Sequence, residues 1–227
     1  MKNSKQIAIA GVTAILLCNT LTENVYAEGF TSEPISDEVF ERIEGKTYKE
    51  NCTVPLEDLR YLKILYRDFE GESQEGEMIV NQAIAEDVLE IFEGLYAAEY
   101  PIERIVLADV YDADDELSMT DNNTSAFNFR MIEGTDRVSK HGLGLAIDVN
   151  PLYNPYVKET DEGIIVLPAA GEKYADRTGN QDHMIDEDDL CYQLFTEHGF
   201  EWGGSWNSLK DYQHFELPSD TVNQLYP

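Results

Sequence analysis

Two short segments concentrate the side chains that could bind a metal ion or move a proton. Residues 139–148 have the sequence SKHGLGLAID, and residues 211–216 have the sequence DYQHFE. A catalytic zinc ion takes three nitrogen or oxygen ligands from the protein and keeps one position for water. His141, Asp148 and His214 could provide these ligands, and the glycines between the first two would let the chain turn closely.

The spacing of these residues is not by itself diagnostic of a metal site. A histidine in a strand or a turn is more often a hydrogen-bonded structural residue than a ligand. The other two histidines of the chain fit such roles. His198 precedes Gly199 at the end of a predicted helix, where an imidazole meets free carbonyls. His183 lies among acidic loop residues, and we expect it to be solvated.

The first segment resembles, position by position, a motif of a known enzyme family. Zinc D-Ala-D-Ala carboxypeptidases and L-alanyl-D-glutamate endopeptidases share the pattern Ser-x-His-x-x-Gly-x-Ala-x-Asp. These are bacterial cell-wall metallopeptidases and include the vancomycin-resistance type. The pattern is matched here by Ser139, His141, Gly144, Ala146 and Asp148. The resemblance runs from about residue 58 to residue 217 and implies the fold of that family.

The second segment resembles the second motif of the same family. That motif places an acidic residue three positions before the last histidine ligand, and Asp211 and His214 have this spacing, with aspartate where many relatives carry glutamate. Residues 202–206, WGGSW, are similar to a Trp-Gly-Gly-Asp-Trp segment of the family. Ser205 replaces the aspartate of that segment, and we assign it no role.

The resemblance implies a role for each side chain of the two motifs. His141, Asp148 and His214 would hold Zn²⁺, which would acidify a bound water and polarise the scissile carbonyl. Asp211 would accept a proton from that water and return it to the leaving amine. An ordinary aspartate has a pKa of about 4, so this role requires desolvation or a shared proton. The alternative for Asp211 is a solvated aspartate in a turn.

Two further residues are candidates for substrate binding. Arg130 occupies the position of a strand arginine that faces the pocket in the family, where a guanidinium suits a substrate carboxylate or a developing oxyanion. An ordinary salt bridge to the acidic surface is the alternative. Ser139 would orient His141 or touch substrate, or it would only close a local turn. Arg137, just before the first motif, better suits a structural role.

The apolar pattern predicts the elements that must position these residues. It predicts a hairpin over residues 59–69 and 77–80, the main core helix over 82–96 and a short buried strand over 105–110. It also predicts an extended segment over 126–131, a second helix over 188–198 that ends at Gly199, and a final strand over 212–217. Residues 112–123 and 151–185 are predicted loops, the second at the rim of a site.

Residues 145–150 alternate apolar and other side chains, so Asp148 should project from a strand on the face opposite its apolar neighbours. The mixed order of strands and helices predicts a single α+β domain with a central antiparallel sheet flanked by helices. The resemblance implies more specifically the zinc D-Ala-D-Ala peptidase fold, which is hedgehog-like.

The N-terminal residues indicate where the protein acts. Two lysines precede an apolar run at 7–17, and a small-residue cleavage site follows at 25–27, which is typical of a signal peptide. We predict a signal peptide over 1–27, a polar leader over 28–49 that packs lightly around a short helix at 37–43, and a zinc metallopeptidase domain over 50–227. We therefore expect a secreted, cell-wall-associated protein. No membrane span is expected, since no apolar run approaches about 20 residues.

Charge and cysteine content limit the partners. The chain carries 45 acidic and 16 basic residues, a net charge of -29 at pH 7. This charge repels nucleic acids and anionic membrane surfaces, so we predict no nucleic-acid partner. The expected partner is a peptidoglycan stem peptide, and the protein is expected to be a monomer. The sequence leaves open whether Cys52 and Cys191 form a disulfide.

Three functions remain compatible with the sequence. The first is a peptidase that removes a terminal D-alanine or cuts the L-Ala-D-Glu bond of a stem peptide, and the motifs do not decide between these bonds. The second is a non-hydrolytic, zinc-containing cell-wall binding module of the same fold, against which the presence of Asp211 argues. The third, a calcium-binding adhesion domain, rests only on acidic loops that lack a calcium-loop pattern.

Overall fold

The structure is a computed structural model, and it describes residues 28–132, 134–179 and 181–226. The predicted signal peptide, residues 1–27, lies outside the described residues. The strands are β1 (Thr31–Pro34), β2 (Leu59–Arg67), β3 (Ser73–Asn81), β4 (Arg104–Ile105), β5 (Asn123–Thr124), β6 (Ala146–Asp148), β7 (Tyr156–Thr160), β8 (Gly163–Leu167), β9 (Glu201–Trp202), β10 (Lys210–Asp211) and β11 (His214–Glu216). The α-helices are α1 (Asp37–Ile43), α2 (Ala85–Ala97), α3 (Asp115–Thr120), α4 (Leu190–Glu197) and α5 (Ser219–Leu225). Short 3-10 helices cover Leu56–Asp58, Ala108–Tyr111, Ala169–Tyr174 and Gly203–Ser205.

The strands pair mainly in antiparallel fashion, which confirms the predicted α+β class. Within the described ranges they form the sheets β1-β2-β3, β10-β7-β8 and β6-β11-β9, together with the parallel pair β4-β5. The strands are thus divided among small sheets and do not form one central sheet. Both motif segments contribute strands to the sheet β6-β11-β9.

The hydrophobic core is built on the hairpin β2–β3 and the helix α2, both of which the apolar pattern predicted. Strands β2 and β3 pair along their whole length, from Leu59 opposite Asn81 to Arg67 opposite Ser73. Helix α2 packs against β2 through the apolar face that its helical spacing indicates. The buried side chains of this face are Val88, Leu89, Ile91, Phe92 and Leu95.

The polar leader does not pack lightly, contrary to prediction. Its strand β1 forms the edge of the first sheet by pairing with β2. Phe30 and Ile43 are buried in the core, and the guanidinium of Arg42 donates to both carboxylate oxygens of Glu77 at 2.8 Å. The predicted helix 37–43 is confirmed as α1. The acidic composition of this segment concealed the few apolar residues that anchor it.

The region 105–123 also differs from prediction. The expected strand at 105–110 is limited to β4, because the chain then turns into the 3-10 helix Ala108–Tyr111. The expected loop at 112–123 contains helix α3. The side chain of Asp114 caps this helix by accepting from the backbone N–H of Leu117 at 3.0 Å. Acidic residues at the cap and in the first turn favour a helix, which explains why this segment is not a loop.

The region 151–185 is more regular than the predicted loop. It contains the hairpin β7–β8 and the 3-10 helix Ala169–Tyr174. The hairpin escaped prediction because its two strands are short and lie mostly on the surface, so polar and apolar residues mix along both faces.

The C-terminal part follows the prediction more closely. Helix α4 ends before Gly199, which has a left-handed φ of +82°. The predicted strand 212–217 is confirmed in its central residues as β11. Cys52 and Cys191 are both unpaired. None of the helices in the described part of the chain is long and apolar enough to cross a membrane.

Candidate metal centre and substrate cleft

Two short strands place two of the predicted ligands side by side. Strand β11 pairs with β6, and His214 lies directly opposite Asp148. Asp148 projects from the face opposite its apolar neighbours, as the alternation predicted. Those neighbours are fully buried and anchor β6 in the core: Leu145, Ile147 and Val149.

The turn before β6 brings His141 to the same point. Gly144 in this turn has a φ of +69°, and a Cβ atom there would lie 2.7 Å from the backbone nitrogen of Asn81. Only glycine fits this position without strain. The backbone N–H of Asn81 donates to the carbonyl of Gly144 at 2.8 Å, so the turn is fixed to the end of β3.

The ligand atoms of the three residues converge. His214 Nδ1 lies 3.0 Å from His141 Nε2 and 3.0 Å from Asp148 Oδ1. His141 Nε2 lies 3.3 Å from Asp148 Oδ2. Tetrahedral zinc with bonds of about 2.0–2.1 Å separates its ligand atoms by about 3.3 Å. The arrangement therefore has the size of a zinc site.

Each imidazole has an inner nitrogen that faces Asp148 and an outer nitrogen that faces away from it. In the neutral ring, the hydrogen bond of the outer nitrogen determines that the inner nitrogen is an acceptor. His141 Nδ1 lies 2.8 Å from the carbonyl oxygen of Ala126, and His214 Nε2 lies 2.9 Å from Glu216 Oε2. Because both partners can only accept, the outer nitrogens carry the protons of the neutral rings. The inner nitrogens then direct lone pairs at the carboxylate of Asp148. With both rings neutral, such a set of acceptors attracts a cation, and His141, Asp148 and His214 could hold one.

The charges of the cluster agree with a cation site. Burial raises the pKa of Asp148, but the charge of His141 and hydrogen bonds with both imidazoles outweigh burial and hold that pKa well below its usual range. Burial lowers the pKa of His214, but hydrogen bonds with Asp148 and Glu216 outweigh burial and raise it to about 10. Without a metal, His214 therefore keeps a second proton at neutral pH, which a metal would replace.

Asp211 lies beside the three ligands but belongs to another sheet. Strand β10 pairs with β7, where Asp211 is opposite Tyr156. Asp211 is half-buried, and its Oδ1 atom is shielded from solvent and has no hydrogen-bond partner among the described residues. Burial raises its pKa to about 7, although the charge of His214 opposes the rise. The desolvation that a proton-transfer role requires is therefore present.

The structure places the two candidate substrate-binding residues in different settings. Arg130 lines the cleft, while its Nε atom forms a salt bridge to Asp115 Oδ2 at 3.1 Å. Arg130 therefore forms the salt bridge of the second alternative, while its role in substrate binding stays a prediction. Ser139 Oγ accepts from the backbone N–H of His141 at 3.2 Å, which is the local turn hydrogen bond. Ser139 also lines the cleft.

Sequence reasoning missed the residues that support His214 from behind. The carboxylate of Glu216 contacts His214 with Oε2 and accepts from Lys140 Nζ with Oε1 at 2.8 Å. Lys140 also donates to the carbonyl of Leu217 at 2.6 Å. Lys140 and Glu216 are sequence neighbours of ligands in the two motifs, so this ion pair ties the motifs together. A carboxylate two positions after a strand histidine, on the same face, was the available signal.

A cleft of about 760 Å³ opens over these residues. Its floor contains the three ligands and Asp211, and its walls include the hairpin β7–β8 and residues of helix α5. This volume lies within the range of about 300–1,000 Å³ that is usual for ligand pockets. The prediction that the region 151–185 rims a site is confirmed through the hairpin.

The remaining candidates have mainly structural contacts. The ring of Trp206 lies 5.4 Å from that of His214 and lines the cleft, whereas Trp202 is buried in the core. His198 Nδ1 bonds the carbonyl of Leu194 at 2.8 Å, as a helix C-terminus predicts. His183 is not solvated as expected but stacks on Phe69 at a centroid distance of 3.8 Å.

Comparison with known proteins agrees with this geometry. A family model described as D-alanyl-D-alanine carboxypeptidase matches residues 133–217. The match confirms the resemblance to the zinc D-Ala-D-Ala carboxypeptidase family over a segment that contains all three ligands and Asp211. The match does not cover residues 58–132, which include Arg130. Searches of the curated proteins and of the solved structures gave no match.

Proposed function

Because residues 133–217 match the D-alanyl-D-alanine carboxypeptidase family, we propose that this protein is a secreted zinc peptidase that hydrolyses peptidoglycan stem peptides. It acts either as a D-alanyl-D-alanine carboxypeptidase or as an L-alanyl-D-glutamate endopeptidase. The observation that carries the proposal is the convergence of three ligand atoms beside Asp211, whose Oδ1 has no hydrogen-bond partner among the described residues and whose pKa burial raises to about 7.

The three ligands have one task in this proposal. His141, Asp148 and His214 hold a zinc ion, whose chemistry is to acidify water and to polarise a carbonyl group. The hydrogen bonds to Ala126 and Glu216 keep both imidazoles in the tautomer that presents an inner lone pair.

Asp211 moves the proton in this proposal. Burial raises the pKa of Asp211 to about 7 in the metal-free protein. This desolvated carboxylate accepts a proton from the attacking water and returns it to the leaving amine. Its free Oδ1 atom has no competing partner among the described residues. Positioned proton transfer of this kind typically contributes about 10²–10⁴-fold to the rate.

Arg130 and Ser139 bind substrate at the side of the cleft. The guanidinium of Arg130 keeps Asp115 at one edge, and its remaining N–H groups suit a carboxylate or a developing oxyanion. Ser139 holds the turn of His141 and presents its hydroxyl to the cleft. The signal-peptide pattern of residues 1–27 supports secretion to the cell wall.

Digestion of purified peptidoglycan tests the proposal. The mature protein is incubated with zinc or with a chelator, and the products are identified by mass spectrometry. Loss of D-alanine indicates the carboxypeptidase, and new L-alanine C-termini indicate the endopeptidase. The variant Asp211→Asn should bind zinc but lose activity by at least about 100-fold. If the folded, zinc-loaded protein releases no product, the enzyme proposal is refuted, and a non-hydrolytic binding module explains the site.

A further inference from the structure

The hairpin β7–β8 presents one face to the cleft. The register places Tyr156 between Asp211 on β10 and Leu167 on β8, and it pairs Lys158 with Ile165. Alternate residues of a strand share a face, and these side chains all line the cleft. The hairpin face is therefore a continuous wall that starts at Asp211.

The rows of this wall lie at increasing distances from the candidate metal centre. Tyr156 and Leu167 form the row beside Asp211, and Lys158 and Ile165 form the next row on the same face. Residues two positions apart in an antiparallel strand are about 7 Å apart. This distance is close to the spacing of two residues in an extended peptide. A peptide lying along the wall would therefore place every second side chain against successive rows.

Lys158 is the cationic side chain of this wall. Its side chain is exposed and makes no hydrogen bond or ion pair with any residue that the structure describes. Two other cations of the cleft are already paired, since Lys140 is bound to Glu216 and Arg130 to Asp115. Arg137 also lines the cleft but does not belong to the hairpin wall. In a protein with 45 acidic and only 16 basic residues, a free ammonium group in the cleft is available to a ligand.

The same wall exposes apolar surface. Ile165 is 43% exposed and Leu167 is 39% exposed, and both line the cleft. Exposed apolar side chains beside a polar site are typical of ligand-binding surfaces. They suit small apolar groups such as the methyl group of an alanine, whereas Lys158 suits an anion.

We propose that this wall is a substrate subsite in which Lys158 binds a carboxylate of the peptide while Ile165 and Leu167 contact its apolar groups. This inference rests on the proposed function and specifies the substrate further: a peptide with a free carboxylate about two residues from the bond that is cut. The source depends on the bond: the free carboxylate of D-glutamate fits this distance from a D-Ala-D-Ala bond, and the carboxylate of a terminal D-alanine fits it from the L-Ala-D-Glu bond.

Three synthetic stem peptides distinguish these sources. One has both carboxylates free, one has the glutamate carboxylate amidated, and one has the terminal carboxylate amidated. The ratio kcat/KM is measured for the zinc-loaded wild-type protein and for Lys158→Met, which keeps the length of the side chain but removes its charge. The control is Lys63→Met, because Lys63 is an exposed lysine of strand β2 that does not line the cleft.

Lys158→Met should lower kcat/KM about fivefold for the free peptide, the upper range for an exposed ion pair. It should leave kcat/KM unchanged for the peptide whose relevant carboxylate is amidated, and this peptide identifies the source. Lys63→Met should behave like the wild-type protein on all three peptides. An equal loss on all three peptides, or no loss on any, overturns the subsite.

A binding measurement separates failure of the subsite from failure of the proposed reaction. The three peptides are titrated by calorimetry into zinc-loaded Asp211→Asn and into Asp211→Asn combined with Lys158→Met. A selective loss of affinity for a free-carboxylate peptide in the combined variant supports the subsite even if the wild-type protein cuts none of them. Equal affinities in both variants refute the subsite, whether or not the wild-type protein is a peptidase.

Discussion

Replacement of Asp211 by asparagine should stabilise the metal-free protein at neutral and alkaline pH. Burial raises the pKa of Asp211 to about 7 in the folded protein, whereas an aspartate in an unfolded chain has a pKa of about 4. Between these values the folded state holds a proton that the unfolded state has released. The wild-type protein therefore loses stability as the pH rises from about 4 to about 7. Asparagine cannot ionise, so the variant is spared this loss.

The magnitude follows from the two pKa values. Ionisation of Asp211 in the folded protein costs about 4 kcal/mol if the whole difference is expressed as stability. Asp211 is only half-buried, so solvent screens part of this cost. We expect the variant to exceed the wild-type protein by roughly 2 kcal/mol at about pH 8 and by almost nothing at about pH 4.

Urea unfolding in the presence of a chelator measures this difference. The free energies of unfolding of both proteins are compared at several pH values between about 4 and 8. Asp161→Asn is the control for net charge, because Asp161 lies exposed in the turn of the β7–β8 hairpin. A wild-type protein that is more stable than Asp211→Asn at about pH 8 would refute the reasoning. So would an advantage of the variant that does not change with pH.

Three further predictions concern the metal centre. Glu216→Gln should weaken zinc binding by about 10–100-fold, because the amide replaces the carboxylate that orients His214, and competition with a chromophoric chelator measures the loss. Lys140→Met should weaken it less, because Glu216 remains in place. Zinc affinity should rise about tenfold per pH unit up to about pH 10, as His214 must release a proton, and a pH-independent affinity would contradict this assignment. Gly144→Ala should lower thermal stability by at least about 2 kcal/mol, whereas Gly71→Ala, with a left-handed φ but open space around it, should cost about 1 kcal/mol.

The metal ligands could be predicted from sequence because their geometry is encoded locally. A strand alternates its side chains, so the buried neighbours of Asp148 define the direction of its carboxylate. The glycine-rich turn brings His141 back over the start of that strand. The pairing of β6 with β11 cannot be read from local pattern, and here the resemblance to a family supplied His214 as the third ligand.

The environment of Asp211 could not be predicted in the same way. Its pKa depends on whether a partner reaches Oδ1, and that depends on the packing of β10 against β7 and the 3-10 helix Gly203–Ser205. The hairpin that supplies β7 was itself missed, because its cleft face mixes Lys158 with apolar residues. Alternation in such a strand marks a ligand-facing wall and not a core.

The sequence composition misled most where the protein is most acidic. The leader and the region 112–123 were assigned to loosely packed or irregular chain on the basis of charge. In the leader, the three buried apolar residues Phe30, Val39 and Ile43 and the Arg42–Glu77 pair outweigh the surrounding carboxylates. In helix α3, the capping by Asp114 makes the same kind of residue a helix-forming signal. Position within an element, more than charge, decides what an acidic residue does.

Two features that oppose local stability lie on the cleft side of the sheet β6-β11-β9. On the core side, apolar residues of β6 are fully buried. On the cleft side, three ligand atoms converge, and Oδ1 of Asp211 has no hydrogen-bond partner in the part of the chain that the structure describes. Such conflicts with local stability are expected at functional sites, where the surrounding structure holds them in place. A cation relieves the first conflict, since it is attractive to all three acceptors. The second is of a different kind, because a donor to Oδ1 would favour the charged carboxylate of Asp211 and so lower its pKa.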